Sequence, residues 1–155
     1  MKGSVWKGIL AGLAGGLAGT FAMTQFQNLW TKARGGSGSG GGDEPATVKA
    51  ARSIFPFTEE SKNTAGNIMH YSFGTLNGGV YGALAEVSPV ARAGAGSVFG
   101  AALFLVADEA LVPLMGWSKP PQDYPLSAHA YGLASHLVYG VTTDGVRRAI
   151  RAALT

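Results

Sequence analysis

The sequence predicts an all-α polytopic membrane protein in which four transmembrane helices form an up-down bundle within one domain, residues 1–155. Four segments of 20 or more residues are long enough to cross the hydrocarbon core of a bilayer, and glycine recurs at regular spacing within them. Of the 21 Asp, Glu, Lys and Arg residues, only Asp108 and Glu109 lie well inside these segments. A soluble all-α domain would need strongly polar helix faces, which the segments lack. The segments cover residues 8–29, 63–85, 93–118 and 124–143.

The first predicted helix covers about residues 4–31. Trp6 and Lys7 stand near its start, and Trp30 and Lys32 stand at its end. Indole rings prefer the headgroup level and lysine extends its ammonium group toward water, so both pairs suit membrane interfaces. We therefore interpret this segment as a membrane span that is retained in the mature protein.

A linker and a short helix are predicted between the first and second spans. Residues 35–42, GGSGSGGG, predict a flexible tether whose composition is typical of a designed linker standing in place of a natural loop. Pro45 and the stretch 47–57 then predict a short amphipathic helix. This helix either lies on the membrane surface or packs on the bundle as an ordinary loop helix.

Glycine spacing predicts how the helices pack. The second helix is predicted over about residues 61–87, the third over 93–116 and the fourth over 126–153. Small residues at four-residue intervals let two helix backbones approach closely, which is the main packing device in lipid. Pro113 is expected to loosen the hydrogen-bond ladder of the third helix. The predicted packing glycines are Gly8, Gly12, Gly16, Gly74, Gly78, Gly82, Gly96, Gly100, Gly132 and Gly140.

Helix lengths place the few ionisable side chains within the spans, which are unfavourable in lipid, at similar depths beneath one membrane face. An up-down bundle puts its first and third loops on the same face, and each residue adds about 1.5 Å of depth. Asp108 is then roughly 12 Å deep and His136 roughly 15 Å deep. Asp108 is expected nearer the packing face than Glu109, which is rotated from it by about 100°. The predicted cluster comprises Asp108, His136, Glu109, His70 and His129.

This cluster predicts proton or ion handling, because histidine changes its charge near neutral pH and buried ionisable groups in lipid are often functional. His70, Asp108 and His136 are also suitable ligands for a divalent metal ion, which is the one cofactor that the sequence suggests. An equal alternative is structural, with a His–Asp pair that joins two helices. No catalytic residue is predicted, because the sequence lacks a Gly-x-Ser-x-Gly elbow, a phosphate loop and a His-Glu-x-x-His spacing. An enzyme is therefore the less favoured class.

Charge and composition restrict the partners. A net charge of +3 without a basic block argues against nucleic acid, and the absence of cysteine excludes disulfides and thiolate sites. The expected partners are the lipid bilayer and a second copy of the chain or another membrane protein. The alternative function is accordingly an accessory subunit that packs against partner helices through its glycine faces. Lys and Arg residues divide six against six between the two membrane faces, so the orientation stays open.

A set of residues in the second half of the chain forms a recognisable pattern. They are His70, Tyr81, Ala85, Glu86, Val87, Pro89, Pro113, Leu114, Met115, Gly116, Pro120, Pro121, Pro125, His136, Leu137, Val138, Arg147 and Arg148. Together they resemble the YagU-like family of small bacterial inner-membrane proteins. The resemblance covers about residues 70–151 and does not include the acidic pair at 108 and 109. It implies a multi-pass protein of the bacterial inner membrane and a link to acid tolerance, and it carries no catalytic residues.

Overall fold

The computed structural model describes residues 2–35 and 44–154, with side chains from residue 5 onward, and this part of the chain is helical without a β-strand. The predicted all-α class is therefore confirmed. Residues 36–42 of the predicted linker lie outside the described residues. The helices are α1 (Lys2–Ala33), α2 (Ala46–Ile54), α3 (Lys62–Val87), α4 (Ser97–Leu103, continued by a π-helical segment Phe104–Leu111 and a last turn Val112–Leu114) and α5 (Leu126–Ala153).

Two helical stretches of the described chain, Val5–Ala33 and Val90–Leu114, are long and apolar enough to cross a membrane. The second stretch includes the 3₁₀ turn Val90–Gly96 that precedes α4. α3 and α5 are as long as a membrane span, but Asn, Ser, Thr and His side chains lower their apolar character. Length and apolar character therefore support two of the four membrane spans that the sequence predicts.

α1 lies between α3 and α5 and runs antiparallel to both. Along α3, Gly8, Gly12 and Gly16 approach the backbone of Gly82, Gly78 and Gly74 in that order. On the adjacent side of α1, two further glycines approach the backbone of α5 at Tyr139 and Thr143. α4 packs antiparallel on the remaining side of α5. These glycine contacts place helix backbones against each other without intervening side chains.

Small and polar residues fill the interior of the bundle, and large apolar residues cover its outside. The largest fully buried side chains are Tyr81, Tyr139, Thr20, Thr143, Asp144 and Ser135. Leu10, Leu17 and Phe21 of α1 are exposed, as are Leu76 and Val80 of α3. A monomer in water rarely exposes so much apolar surface.

The third predicted helix begins later than its apolar pattern indicates. Gly94, Ala95 and Gly96 have φ values of 61°, 52° and 87°, so the backbone turns left-handed before α4 begins at Ser97. A side chain at Gly96 would also overlap the carbonyl oxygen of Gly140. The predicted start near residue 93 is therefore wrong, because a hydropathy pattern does not record backbone turns made by small residues.

α2 packs on the bundle rather than standing apart from it. Val48, Ala50 and Ala51 are buried, and the side chain of Val48 covers Gly66 on α3. Exposed ion pairs join Arg52 to Glu44 and Glu59, each with a nitrogen–oxygen distance of 2.8 Å. Of the two alternatives for this helix, the structure therefore shows a loop helix packed on α3.

Candidate functional site

A cavity of about 640 Å³ opens in the half of the bundle that contains the loop between α4 and α5. All five helices contribute to its walls, as does the loop at residues 117–124. The five predicted cluster residues all line it. They are Asp108 and Glu109 from α4, His70 from α3, and His129 and His136 from α5. A cavity of this volume falls in the range of small-ligand sites in proteins.

His129 and Glu109 form the shorter of two histidine–carboxylate pairs. The distance from Nδ1 of His129 to Oε1 of Glu109 is 2.7 Å, and Nε2 of the same ring lies 3.1 Å from the carbonyl oxygen of Pro121. Both ring nitrogens therefore face acceptors. A neutral imidazole has only one N–H group, whereas the protonated ring donates to both acceptors. The geometry thus favours the cationic form of His129 beside an anionic Glu109.

His136 and Asp108 form the second pair, which is longer. Nδ1 of His136 lies 2.9 Å from the carbonyl oxygen of Gly132 and 3.7 Å from Oδ2 of Asp108. The carbonyl accepts a hydrogen bond, so Nδ1 carries a proton, and Asp108 lies beyond hydrogen-bond distance of that nitrogen. The ring of Phe104 packs against the imidazole at 5.6 Å between centroids. This contact holds the orientation of His136 at the base of the cavity.

The two acids exchange the roles that helical geometry assigns them. Asp108 was expected nearer the packing face, yet its side chain is 46% exposed, against 22% for Glu109. The reason is the π-helical segment, whose wider turn rotates side chains away from their α-helical positions. Ala107 continues the buried row that Phe104 begins. Pro113 explains the wider turn, because its ring clashes with the carbonyl four residues earlier in a regular α-helix.

His70 lines the cavity without a hydrogen bond from its buried Nε2, and its ring contacts Tyr71 edge-on at 5.9 Å. The metal set predicted from sequence, His70 with Asp108 and His136, is not assembled. Among the described residues no group of three His, Asp or Glu side chains is placed to hold a metal ion. The nitrogen of His136 nearest to Asp108, Nδ1, is already engaged by the carbonyl oxygen of Gly132, so this nitrogen and the Asp108 carboxylate do not share an ion between them.

The ten predicted packing glycines all lie at close contacts. A Cβ atom at Gly100 would overlap the carbonyl oxygen of His136, and one at Gly140 would overlap that of Gly96. Gly74 and Gly132 differ from these, because the side chains of Thr20 and Phe104, respectively, cover them rather than a backbone. The glycine contacts therefore join helices of this one chain to each other.

Sequence reasoning missed an ion-pair network at the opposite end of the bundle. Asp144 is 1% exposed and pairs with Arg147 at 3.0 Å and with Arg148 at 2.6 Å. Glu86 of α3 holds Arg151 of α5 at 2.8 Å. The available signal was the spacing of Asp144 to the arginines three and four residues later, which puts opposite charges on one helix face.

Comparison with known proteins identifies one family. Residues 45–145 match the family described as protein of unknown function (DUF1440). The search of curated proteins and the search of solved structures gave no significant match. The matched residues include α2, α3, α4 and most of α5, together with all five side chains of the cluster. α1 lies outside the match, although it makes the glycine contacts with α3 and α5.

Proposed function

Because the chain belongs to the DUF1440 family, whose function is unknown, we propose a function from the geometry of its own cavity. The protein is a multi-pass protein of the bacterial inner membrane that senses pH, and its sensor is the two histidine–carboxylate pairs in the cavity. The observation that carries this proposal is the contact of both ring nitrogens of His129 with acceptors, Glu109 and the loop carbonyl of Pro121.

The proposed four-span topology has support from the surface of the bundle. Exposed apolar side chains occur on α3 and α5 as well as on the two most apolar helices, with Phe73 and Leu84 on α3 and Leu133 and Val141 on α5. Lipid tails cover such a surface at no cost, whereas water does not. The resemblance to YagU-like proteins supports the same membrane and a role in acid tolerance.

Loss of a proton from His129 changes what holds the cavity mouth together. The protonated ring of His129, on α5, connects Glu109 of α4 to the carbonyl of Pro121 in the loop before α5. The neutral ring donates one hydrogen bond and leaves the other acceptor facing a lone pair. Because imidazole exchanges its proton near neutral pH, the loop and the π-helical segment respond to pH in that range.

The same geometry supports sensing over conduction. Between His136 and Asp144, about 12 Å of α5 at 1.5 Å per residue contains no Asp, Glu, His, Lys or Arg. The facing stretches of the other helices lack such residues as well. Buried Tyr139 donates to the carbonyl of Gly74 at 2.7 Å, and Thr20 donates within its own helix. We therefore propose that protons enter and leave the cavity on one side of the bundle.

The alternative, an accessory subunit that binds partner helices through glycine faces, has weaker support. Gly8, Gly12 and Gly16 contact α3, and Gly96 and Gly100 contact α5. These faces are occupied within the chain. A partner would therefore have to use the larger apolar residues on the outside of the bundle.

Fluorescence of Trp117 in liposomes tests the proposal. Trp117 lines the cavity, and replacing Trp6 and Trp30 with Phe leaves it as the one tryptophan of the chain. We expect its emission to change sigmoidally between about pH 5 and 8, the range in which histidine titrates. The double substitution H129Q/H136Q should abolish this change, because Gln keeps hydrogen-bonding groups but does not titrate.

Two controls separate the outcomes. H70Q removes a histidine of the same cavity that lies outside the pairs, and the transition should persist in it. A transition that survives in H129Q/H136Q, or that disappears in H70Q alone, contradicts the assignment of the sensor. A pH dye inside the same liposomes measures proton leakage. Leakage faster than that of empty liposomes contradicts sensing without conduction.

A further inference from the structure

A second cavity, of about 370 Å³, opens at the end of the bundle opposite the histidines. We call it the arginine cavity. α5 supplies most of its wall, and the last turn of α3 and the connection before α4 supply the rest. Its lining residues are Ala85, Glu86, Arg92, Arg147, Arg148, Arg151 and Ala152.

Two carboxylates fix the inner wall of the arginine cavity. Asp144 accepts hydrogen bonds from Nε and Nη2 of Arg147 at 3.2 and 3.0 Å. Glu86 accepts bonds from Nε and Nη2 of Arg151 at 2.8 and 3.2 Å, a two-pronged contact that fixes the plane of the guanidinium group. Arg147 and Asp144 are both buried, so this wall is built before any ligand arrives.

The outer wall holds positive charge that these carboxylates do not balance. The side chain of Arg148 is 54% exposed and contacts Asp144 through Nε at 2.6 Å. Arg92 forms no ion pair within the described residues and is exposed. Four guanidinium groups therefore surround the cavity while Glu86 and Asp144 supply two negative charges. The excess is two positive charges.

The backbone before α4 holds Arg92 beside α5. The left-handed turn at residues 94–96 follows it directly, and Gly96 contacts Gly140 and the Cβ of Asp144. This contact allows no side chain at position 96 and fixes the distance between the Arg92 connection and the arginines of α5. The placement of Arg92 is thus a property of the fold.

We propose that the arginine cavity binds a phosphate group, carried either by an anionic phospholipid or by a soluble phosphate. Guanidinium groups bind phosphate oxygens through paired N–H donors, and basic recesses between membrane helices are typical headgroup sites. The cavity lies where α3 and α5 end, the level at which lipid headgroups surround a membrane bundle. This site is independent of the histidine cavity and of the function proposed for it.

Titration calorimetry on the full chain in detergent tests this proposal with two probes. Dioctanoyl phosphatidylglycerol represents the lipid, and inorganic phosphate represents the soluble ligand. The variant R92Q/R148Q removes the two exposed arginines of the cavity and keeps the Asp144–Arg147 and Glu86–Arg151 pairs, while Asp144 loses its second partner. We expect it to bind the effective probe at least about tenfold more weakly. The control R34Q/R52Q removes the same charge elsewhere and should bind as the wild type does.

The two probes distinguish the sources of phosphate. Binding of phosphatidylglycerol that inorganic phosphate does not displace identifies a lipid headgroup site. Binding of inorganic phosphate that weakens in R92Q/R148Q identifies a soluble ligand. Equal weakening by both double substitutions shows only a general charge effect and overturns the proposal. Failure of both probes to bind the wild-type chain overturns it as well.

Discussion

Replacement of Gly78 by alanine is the sharpest test of the contact between α1 and α3. A Cβ at this position would lie 2.7 Å from the amide nitrogen of Gly16 and closer still to the carbonyl oxygen of Gly12. Ordinary contacts of Cβ atoms begin at 3.4 Å, so the helices must separate by at least 0.7 Å, the difference between the two distances. Both neighbours are backbone atoms, which cannot rotate away.

The expected cost follows from two opposing effects. Insertion of a methyl group into a packed interface costs about 1–3 kcal/mol, and unyielding neighbours put Gly78→Ala near the upper end of that range. Alanine is favoured over glycine in a helix by about 1 kcal/mol, which offsets part of this. The net loss is about 2 kcal/mol. For a chain of this length the midpoint of thermal unfolding should fall by roughly 4–8 °C.

Gly145→Ala is the matched control, because an added Cβ on this residue of α5 meets no atom within 4 Å. It should leave the midpoint unchanged or raise it by a few degrees, since only the helix preference of alanine acts. The assay is size-exclusion recovery of detergent-solubilised protein after heating. If both variants show the same shift, the close approach of α1 and α3 does not limit stability, and the reasoning fails.

Three further predictions concern single contacts. Tyr139→Phe removes the hydrogen bond to the carbonyl of Gly74 and should cost about 1 kcal/mol, measured as a fall of roughly 2–4 °C in the unfolding midpoint. Gly116→Ala forces alanine to adopt φ 73° and should cost about 1–2 kcal/mol in the same assay, although a Cβ there meets no neighbouring atom. The hydrogen bond from Arg52 lowers the pKa of Glu59. The contribution of this contact to stability is therefore present above the ordinary pKa of glutamate and is lost as pH falls through the lowered value. The protection factors of α2 amides, which correct exchange rates for the intrinsic effect of pH, should accordingly fall below about pH 4.3 in the wild type and depend less on pH in Glu59→Gln.

Much of the helical architecture can be predicted from the sequence, because uncharged segments of about 20 residues are typical of membrane-spanning helices. Glycines at four-residue intervals likewise mark where backbones can meet. The backbone irregularities of α4 were less accessible. By composition, Gly94 and Gly96 could belong to a helix or to a turn, and the contact of Gly96 with α5 is not visible in the sequence. The π-helical segment has one visible cause, Pro113, but the length of the distortion depends on how Phe104 and Ala107 pack.

The histidine cavity and the ion pairs of Asp144 were likewise only partly predictable from the sequence. Depth along a helix can be counted from sequence, and the five side chains predicted at similar depths line one cavity. The face of the helix that a side chain occupies cannot be predicted by counting residues where the helix is irregular. For this reason Glu109, not Asp108, is the more buried of the two acids. Asp144 was visible as a charge near a helix end. Its burial depends on the approach of α3 and α4 to α5, which no local pattern of the sequence records.

The glycine contacts divide the molecule into a rigid part and a part that is held less tightly. Where α1 meets α3 and α5, many of the glycine contacts place backbone against backbone, and backbone atoms cannot change rotamer to let the helices slide. Those three helices therefore behave as one stiff block. The second half of α4 and the loop that follows it have no such backbone contact and are held by rings, by the His129–Glu109 pair and by a carbonyl contact. We therefore expect a movement that starts at the histidine cavity to stay within the second half of α4 and the loop that follows it.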